Sequence, residues 1–176
     1  MRKLKLEELN RMSNEEFKTS SRQAVRVILD NVRSMNNTGS AFRTCDAFRV
    51  EKLYLCGITA KPPNKEIHKT ALGATESVDW EYKEDTLSLI KELKSSGYTI
   101  CSVEQAEGST MLGDFKFEAD MKLALIFGNE VKGVQQEVIN ESDFCIEIPQ
   151  YGTKHSFNIS VSIGIVLWDL LKNKSL

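Results

Sequence analysis

Short apolar runs alternate with amphipathic stretches along most of the chain. Ala24–Asn31, with β-branched Val25, Val27 and Ile28, reads as a buried strand, as do Lys52–Ile58, Tyr98–Glu104 and Met121–Phe127. Phe144–Ile148 and the small Val78–Tyr82 continue the series. Between them the apolar spacing turns helical. A turn at Asn36–Gly39 opens a helix through Phe48, Ile67–Leu72 is a short helix, and Val134–Asn140 another. Asp85 can cap a helix to Ser96, with Leu87, Ile90 and Leu93 on one face and Gly97 as its stop. The last helix spans about Phe157–Lys172, and it is apolar almost all round. Residues 4–21 read as two short helices broken near Ser13, where Ser13 and Glu16 form a capping box. Pro62-Pro63 marks a loop, and residues 105–120 form a long connection of the kind that usually carries function.

Strands alternating with helices predict an α/β protein with a mainly parallel sheet flanked by helices. Ligands of such sheets sit beyond the carboxyl ends of the strands. Chemistry is therefore expected in Asn31–Arg43, Glu104–Asp120, Gly128–Gly133 and Pro149–Asn158.

Composition narrows this further. A chain of 176 residues suits one domain, and 41% apolar with 27% charged residues excludes a fibre or a disordered chain. The 4 cysteines, Cys45, Cys56, Cys101 and Cys145, lack the close spacing of a zinc or redox motif, which implies a reduced, cytoplasmic protein. Met1-Arg-Lys-Leu-Lys has no apolar stretch behind it and so is not a signal peptide, and no segment is apolar enough to span a membrane. The net charge of −2 hides an asymmetry, +4 over residues 1–52 and −6 over the rest. Such a basic end either docks a polyanion or is an ordinary solvated arm, and charge alone leaves both readings open.

Several chemistries are missing. No Gly-x-Gly-x-x-Gly follows the first strand, Gly128-Asn-Glu-Val-Lys-Gly133 is no Walker loop, and no Gly-x-Ser-x-Gly elbow occurs. Two histidines without metal-ligand spacing predict no metal. The loops instead concentrate Asn37, Arg43, Asn129, Glu130, Ser156 and Asn158. Such a set orients a ligand and moves a group that is already activated. It is a poor set for hydrolysis.

These segments resemble the three motifs of the SpoU, or TrmH-like, RNA ribose methyltransferases of the SPOUT superfamily. The first runs from Asp30-Asn-Val-Arg33 through Asn37, Gly39 and Arg43 to Asp46-Ala-Phe48; the second is Leu125-Ile-Phe-Gly128-Asn129-Glu130-Val-Lys-Gly133. The third is Ile148-Pro149-Gln-Tyr-Gly152-Thr-Lys-His-Ser156-Phe-Asn158-Ile-Ser160-Val-Ser162. The likeness covers about residues 24–172. It departs where the family usually has Leu (Phe157 here) and where Gly is frequent (Arg49 here).

Charge and apolar spacing make 1–23 a short basic helical arm, too short for the separate RNA-binding domain of some relatives, and the resemblance implies a SPOUT methyltransferase domain at 24–176. A deep trefoil knot around 104–176 would be a rare exception to unknotted topology. It implies S-adenosylmethionine as cofactor, bound by Gly128, Asn129, Gly133, Ile148, Ser156 and Phe157, with Glu104 a looser match. An RNA substrate, a homodimer and no metal are implied as well. Arg43 would be the catalytic arginine. A guanidinium is a permanent cation and a poor base, so anchoring a phosphate and stabilising a developing 2′-alkoxide suit it better. Asn37 would orient the arginine and ribose, unless it merely caps its helix, and Glu130 would organise the motif loops. Ser156 and Asn158 would stand near the reacting ribose or cap the last helix. Arg33, with Lys3, Lys5, Arg11, Lys18 and Arg22 of the arm, would contact RNA phosphates. The activity implied is methyl transfer to a ribose 2′-hydroxyl, tRNA ahead of rRNA; the alternative is a noncatalytic RNA-binding or assembly factor.

Overall fold

The computed structural model describes residues 1–118 and 120–173; Ala119 of the long connection and 174–176, at the end of the expected knotted domain, lie outside the described residues. A 3₁₀ turn at Leu6–Leu9 and helix α1 (Asn14–Thr19) open the chain. The Ser13–Glu16 capping box forms as expected, with the Ser13 N–H donating to the Glu16 carboxylate at 2.7 Å. Strand β1 (Gln23–Asp30) is followed by α2 (Met35–Ala47), β2 (Val50–Cys56), α3 (Lys65–Ala71), α4 (Ala74–Ser77) and β3 (Trp80–Lys83). Then come α5 (Thr86–Ser95), β4 (Thr99–Val103), β5 (Thr110–Met111), β6 (Leu123–Phe127), α6 (Gln136–Glu141), β7 (Phe144–Glu147) and α7 (Ile159–Leu171).

The strands form one seven-stranded sheet in the order β3-β2-β1-β6-β4-β7-β5, with every pair parallel. Its inner strands are buried on both faces, which is why they read as continuous apolar runs. Val25, Val27 and Leu29 of β1, with Leu123, Leu125 and Phe127 of β6, pack with the buried residues of α2, α3 and α7. Ile28, Ala124 and Ile126 face the other way, onto Leu89, Ile90 and Leu93 of α5 and Val138 of α6. Asp85 caps α5 by accepting the Ser88 N–H at 2.8 Å. The four cysteines are free; burial pushes the thiols of Cys45, Cys56 and Cys101 upward and leaves them inert hydrophobes. No helix among the described residues is long and apolar enough to cross a membrane.

Three expectations are corrected. Gly39 does not mark a turn before the helix: α2 starts at Met35, capped by Ser34, and Gly39 is buried within it. A Cβ there would strike the Thr70 side chain and the Ile67 carbonyl of α3, so the glycine is a helix-crossing residue. Asn37 therefore does not cap α2, and its side chain is free for another task. Residues 105–120 are not without pattern, because β5 adds an edge strand beside β7 and a 3₁₀ turn follows at Leu112–Asp114.

Candidate active site

Beyond the carboxyl ends of β4, β6 and β7 lies a cleft of about 550 Å³. Its walls are Val103–Gln105 after β4, Phe127–Gly133 after β6, Glu147, Ile148 and Gln150 after β7, and His155–Ile159 with Ser162 at the start of α7. The switch point of the sheet lies at the cleft's side, between β1, from which the chain moves outward to β2, and β6, from which it moves the other way to β7.

At the lip of the cleft three distant segments join. The Asn158 amide donates to the Asn37 Oδ1 at 3.1 Å, and the Asn37 amide donates to the Glu130 Oε1 at 2.9 Å. Glu130 also accepts the backbone N–H groups of Arg33 (2.9 Å) and Ser34 (3.0 Å) at the N-terminus of α2. Loss of water opposes the Glu130 charge, yet the donors from Arg33, Asn37 and Ser34 outweigh it and hold its carboxyl below the usual carboxylate range. Asn158 caps α7 as well, its Oδ1 accepting the Ser160 N–H at 2.9 Å. Asn158 and Glu130 each serve both a helix end and the relay, and Asn37 links them.

The loop after β6 is fastened from three sides. Asn129 and Gly133 pair through their backbones, and the Asn129 Oδ1 accepts the N–H groups of Val131 and Lys132 at 2.9 and 3.0 Å. Its amide donates to the Asn31 carbonyl at 2.7 Å, which ties the loop to the end of β1. Glu104 accepts the Val134 N–H at 3.0 Å, and wholly buried Asp30 accepts the Gln135 N–H at 3.0 Å and its amide at 2.8 Å. Gly128 is required by close approach: a Cβ there would strike the backbone of Gly133 and Val134. Across the cleft, the Gln105 amide donates to the His155 carbonyl at 2.9 Å and holds the loop before α7.

The family model for SpoU rRNA methylases matches residues 24–168. The chain belongs to that family. It is 30% identical over 149 residues to a Staphylococcus aureus (strain COL) protein assigned to the TrmH family of tRNA/rRNA methyltransferases. That match covers 84% of this chain and 58% of the relative, so the chain spans little more than half of that protein. Among solved structures it is similar to the AdoMet-bound rRNA methyltransferase from Sinorhizobium meliloti, with a TM-score of 0.78 and 26% identity over 85% of this chain and 56% of that one. It is also similar to the A. aeolicus TrmH/SpoU tRNA-modifying enzyme, with a TM-score of 0.77 and 29% identity over 89% of this chain and 77% of that one. The α/β fold with its parallel sheet is thus the SPOUT fold.

Within this SpoU chain all seven residues anticipated for cofactor binding come together: Glu104, Gly128, Asn129, Gly133, Ile148, Ser156 and Phe157 line the cleft, with Glu130 and Asn158. The carboxylate of Glu104 and the amide of Asn129, however, are spent on holding the loop. Arg43 does not join them. It is exposed on α2, outside the walls of the cleft. Arg33 is exposed beside Glu130, and Lys3 and Lys5 are exposed in the arm. Arg22 corrects its reading as a phosphate contact: its guanidinium pairs with Asp79 at 3.2 Å and lies over the Phe17 ring, so it is committed to packing the arm. The sequence reading gave no role to Asp30, Asn31, Gln105 or Gln135. Their partners are far away in the chain, and no local spacing signals them.

Proposed function

We propose that the chain is an S-adenosylmethionine-dependent RNA methyltransferase that methylates a ribose 2′-hydroxyl, with tRNA as substrate. The observation that carries this reading is the Asn158–Asn37–Glu130 relay, which links all three motifs at the mouth of one cleft. The cleft suits the cofactor in size and chemistry. Apolar Val103, Phe127, Ile148 and Ile159 suit an adenosine, and Glu104, Glu130 and Glu147 outnumber the cation of Lys132 around a cationic ligand. When bound, S-adenosylmethionine supplies a methyl group already activated on a sulfonium. The protein's own task is then alignment and charge stabilisation. Gly128, Ile148, Ser156 and Phe157 hold the ligand, Asn158 and Asn37 orient the ribose, and Arg43 anchors a phosphate and stabilises the negative charge growing on the 2′-oxygen.

Because Arg43 stands outside the cleft of its own chain, we assign it to the cleft of a second copy. A homodimer is supported by α7, an apolar helix whose other residues are buried or half-buried but which leaves Trp168 63% and Val161 48% exposed. A knot around 104–176 is proposed from the family resemblance alone. The choice of tRNA follows the A. aeolicus relative, of which the chain covers the larger share. Four free thiols suit work on RNA in the cytoplasm. Mapping alkali-resistant linkages in RNA from a deletion strain against wild type tests the proposal. One lost 2′-O-methyl position in tRNA is expected, and an unchanged map would refute it.

A further inference from the structure

We infer that Tyr151 is a stacking platform for a nucleobase of the RNA, beside the nucleotide that is methylated. This rests on the RNA reading of the cleft.

Of the 4 tyrosines, three are tied to the fold. The Tyr54 hydroxyl accepts from Arg26 at 3.1 Å, Tyr98 donates to Glu51 at 2.6 Å, and Tyr82 donates to the Gly57 carbonyl at 3.0 Å. Tyr151 is 96% exposed, and among the described residues it makes no hydrogen bond or ring contact. Packing therefore gives no reason for a large aromatic ring at this position. Its place in the chain supplies one. Tyr151 follows Gln150, which lines the cleft, and His155 brings the chain back to the cleft. The ring thus stands on the loop that walls the mouth of the site.

Its surroundings favour RNA over a second protein chain. Lys154 and His155 are exposed on the same loop, and exposed Lys132 stands on the cleft's other loop next to exposed Val131. Lysine is depleted from the cores of protein interfaces. Aromatic rings interleaved with cations are instead the pattern that binds unpaired nucleotides, the ring taking a base face and the cations the phosphates. The bare apolar face for a second copy is on α7, at Val161 and Trp168.

The test compares wild type, Tyr151→Ala, Tyr151→Phe and Lys154→Ala with labelled S-adenosylmethionine and total RNA from cells lacking the gene. Tyr151→Ala should raise the KM for RNA roughly five- to a hundred-fold, the range of a lost base stack, and leave the KM for S-adenosylmethionine unchanged. Because no charge is removed, the salt dependence of RNA binding should keep its slope, whereas Lys154→Ala should flatten it. Tyr151→Phe keeps the ring and should restore the KM for RNA. Normal RNA kinetics in Tyr151→Ala would overturn the inference, and so would failure of the Phe variant to rescue. A raised KM for S-adenosylmethionine would make Tyr151 a cofactor clamp instead, and a fall to monomer mass in light scattering would make it a contact between copies. A wild-type protein that neither retains RNA nor transfers methyl would refute the reading of the cleft itself. An active wild type matched by Tyr151→Ala would refute this inference alone.

Discussion

Glu130 shows how one side chain comes to matter. Its carboxylate gathers donors from Arg33, Ser34 and Asn37, and they hold it below the usual range against the cost of lost water. A carboxyl with a lowered folded pKa stabilises fully above its unfolded value of about 4.3 and loses that contribution as pH falls through the folded value. Glu130→Gln should therefore lower Tm at neutral pH and flatten its decline on acidification, as read by thermal melts at several pH values. An identical pH profile would show that the carboxylate is not held in this way. Arg49 makes a second point at the same scale. It occupies the left-handed region at φ 51, where the family resemblance leads one to expect Gly, while its guanidinium donates to the Ser21 carbonyl at 2.5 Å. Left-handed backbone costs a side chain roughly 1–2 kcal/mol. Arg49→Gly should be more stable than Arg49→Ala by about 1 kcal/mol in chemical denaturation; the reverse order would contradict the backbone argument. These facts were half legible. The sequence named Glu130 and flagged Arg49, but the donors to Glu130 lie far away in the chain, and no spacing announces them.

Elements were more legible than their junctions. Strands and amphipathic helices declare themselves by period, so β1, β6, α5 and α7 emerge within a residue or two of their ends. The start of α2 did not, because Asn36–Gly39 has the composition of a turn while Ser34 supplies the cap and α3 packs against Gly39. That crossing gives a direct check. Gly39→Ala would drive a methyl group into Thr70 and the Ile67 carbonyl, and overpacking of this kind costs typically 1–3 kcal/mol. A measured loss of that size is expected, and an unchanged Tm would mean that α2 and α3 sit farther apart. Gly128→Ala belongs to the same class but acts at the cleft: the displaced loop should lose S-adenosylmethionine binding by calorimetry while the sheet still melts cooperatively. The small edge strand β5 was missed because two residues carry no periodic signal.

At the scale of the whole molecule, the parallel sheet gathers segments from both halves of the chain at one edge, and the site consists of their loops. That much follows from strand-helix alternation. What alternation does not give is which side chains meet, or that Arg43 lies outside the walls of its own cleft. The proposed dimer answers the second point through α7. Trp168→Glu should convert a dimer to a folded monomer by light scattering and abolish methyl transfer, because each cleft then lacks the other chain's arginine. An active monomer would remove the dimer from the account. The most direct measurement is methyl transfer itself. Purified wild type and Arg43→Ala are incubated with methyl-labelled S-adenosylmethionine and RNA from cells lacking the gene, and the product is digested to nucleosides. The account predicts label in a 2′-O-methyl nucleoside for wild type, a loss of about 10²–10³ in rate for Arg43→Ala, and equal cofactor affinity for both. Label on a base, or an Arg43→Ala protein as fast as wild type, would contradict it.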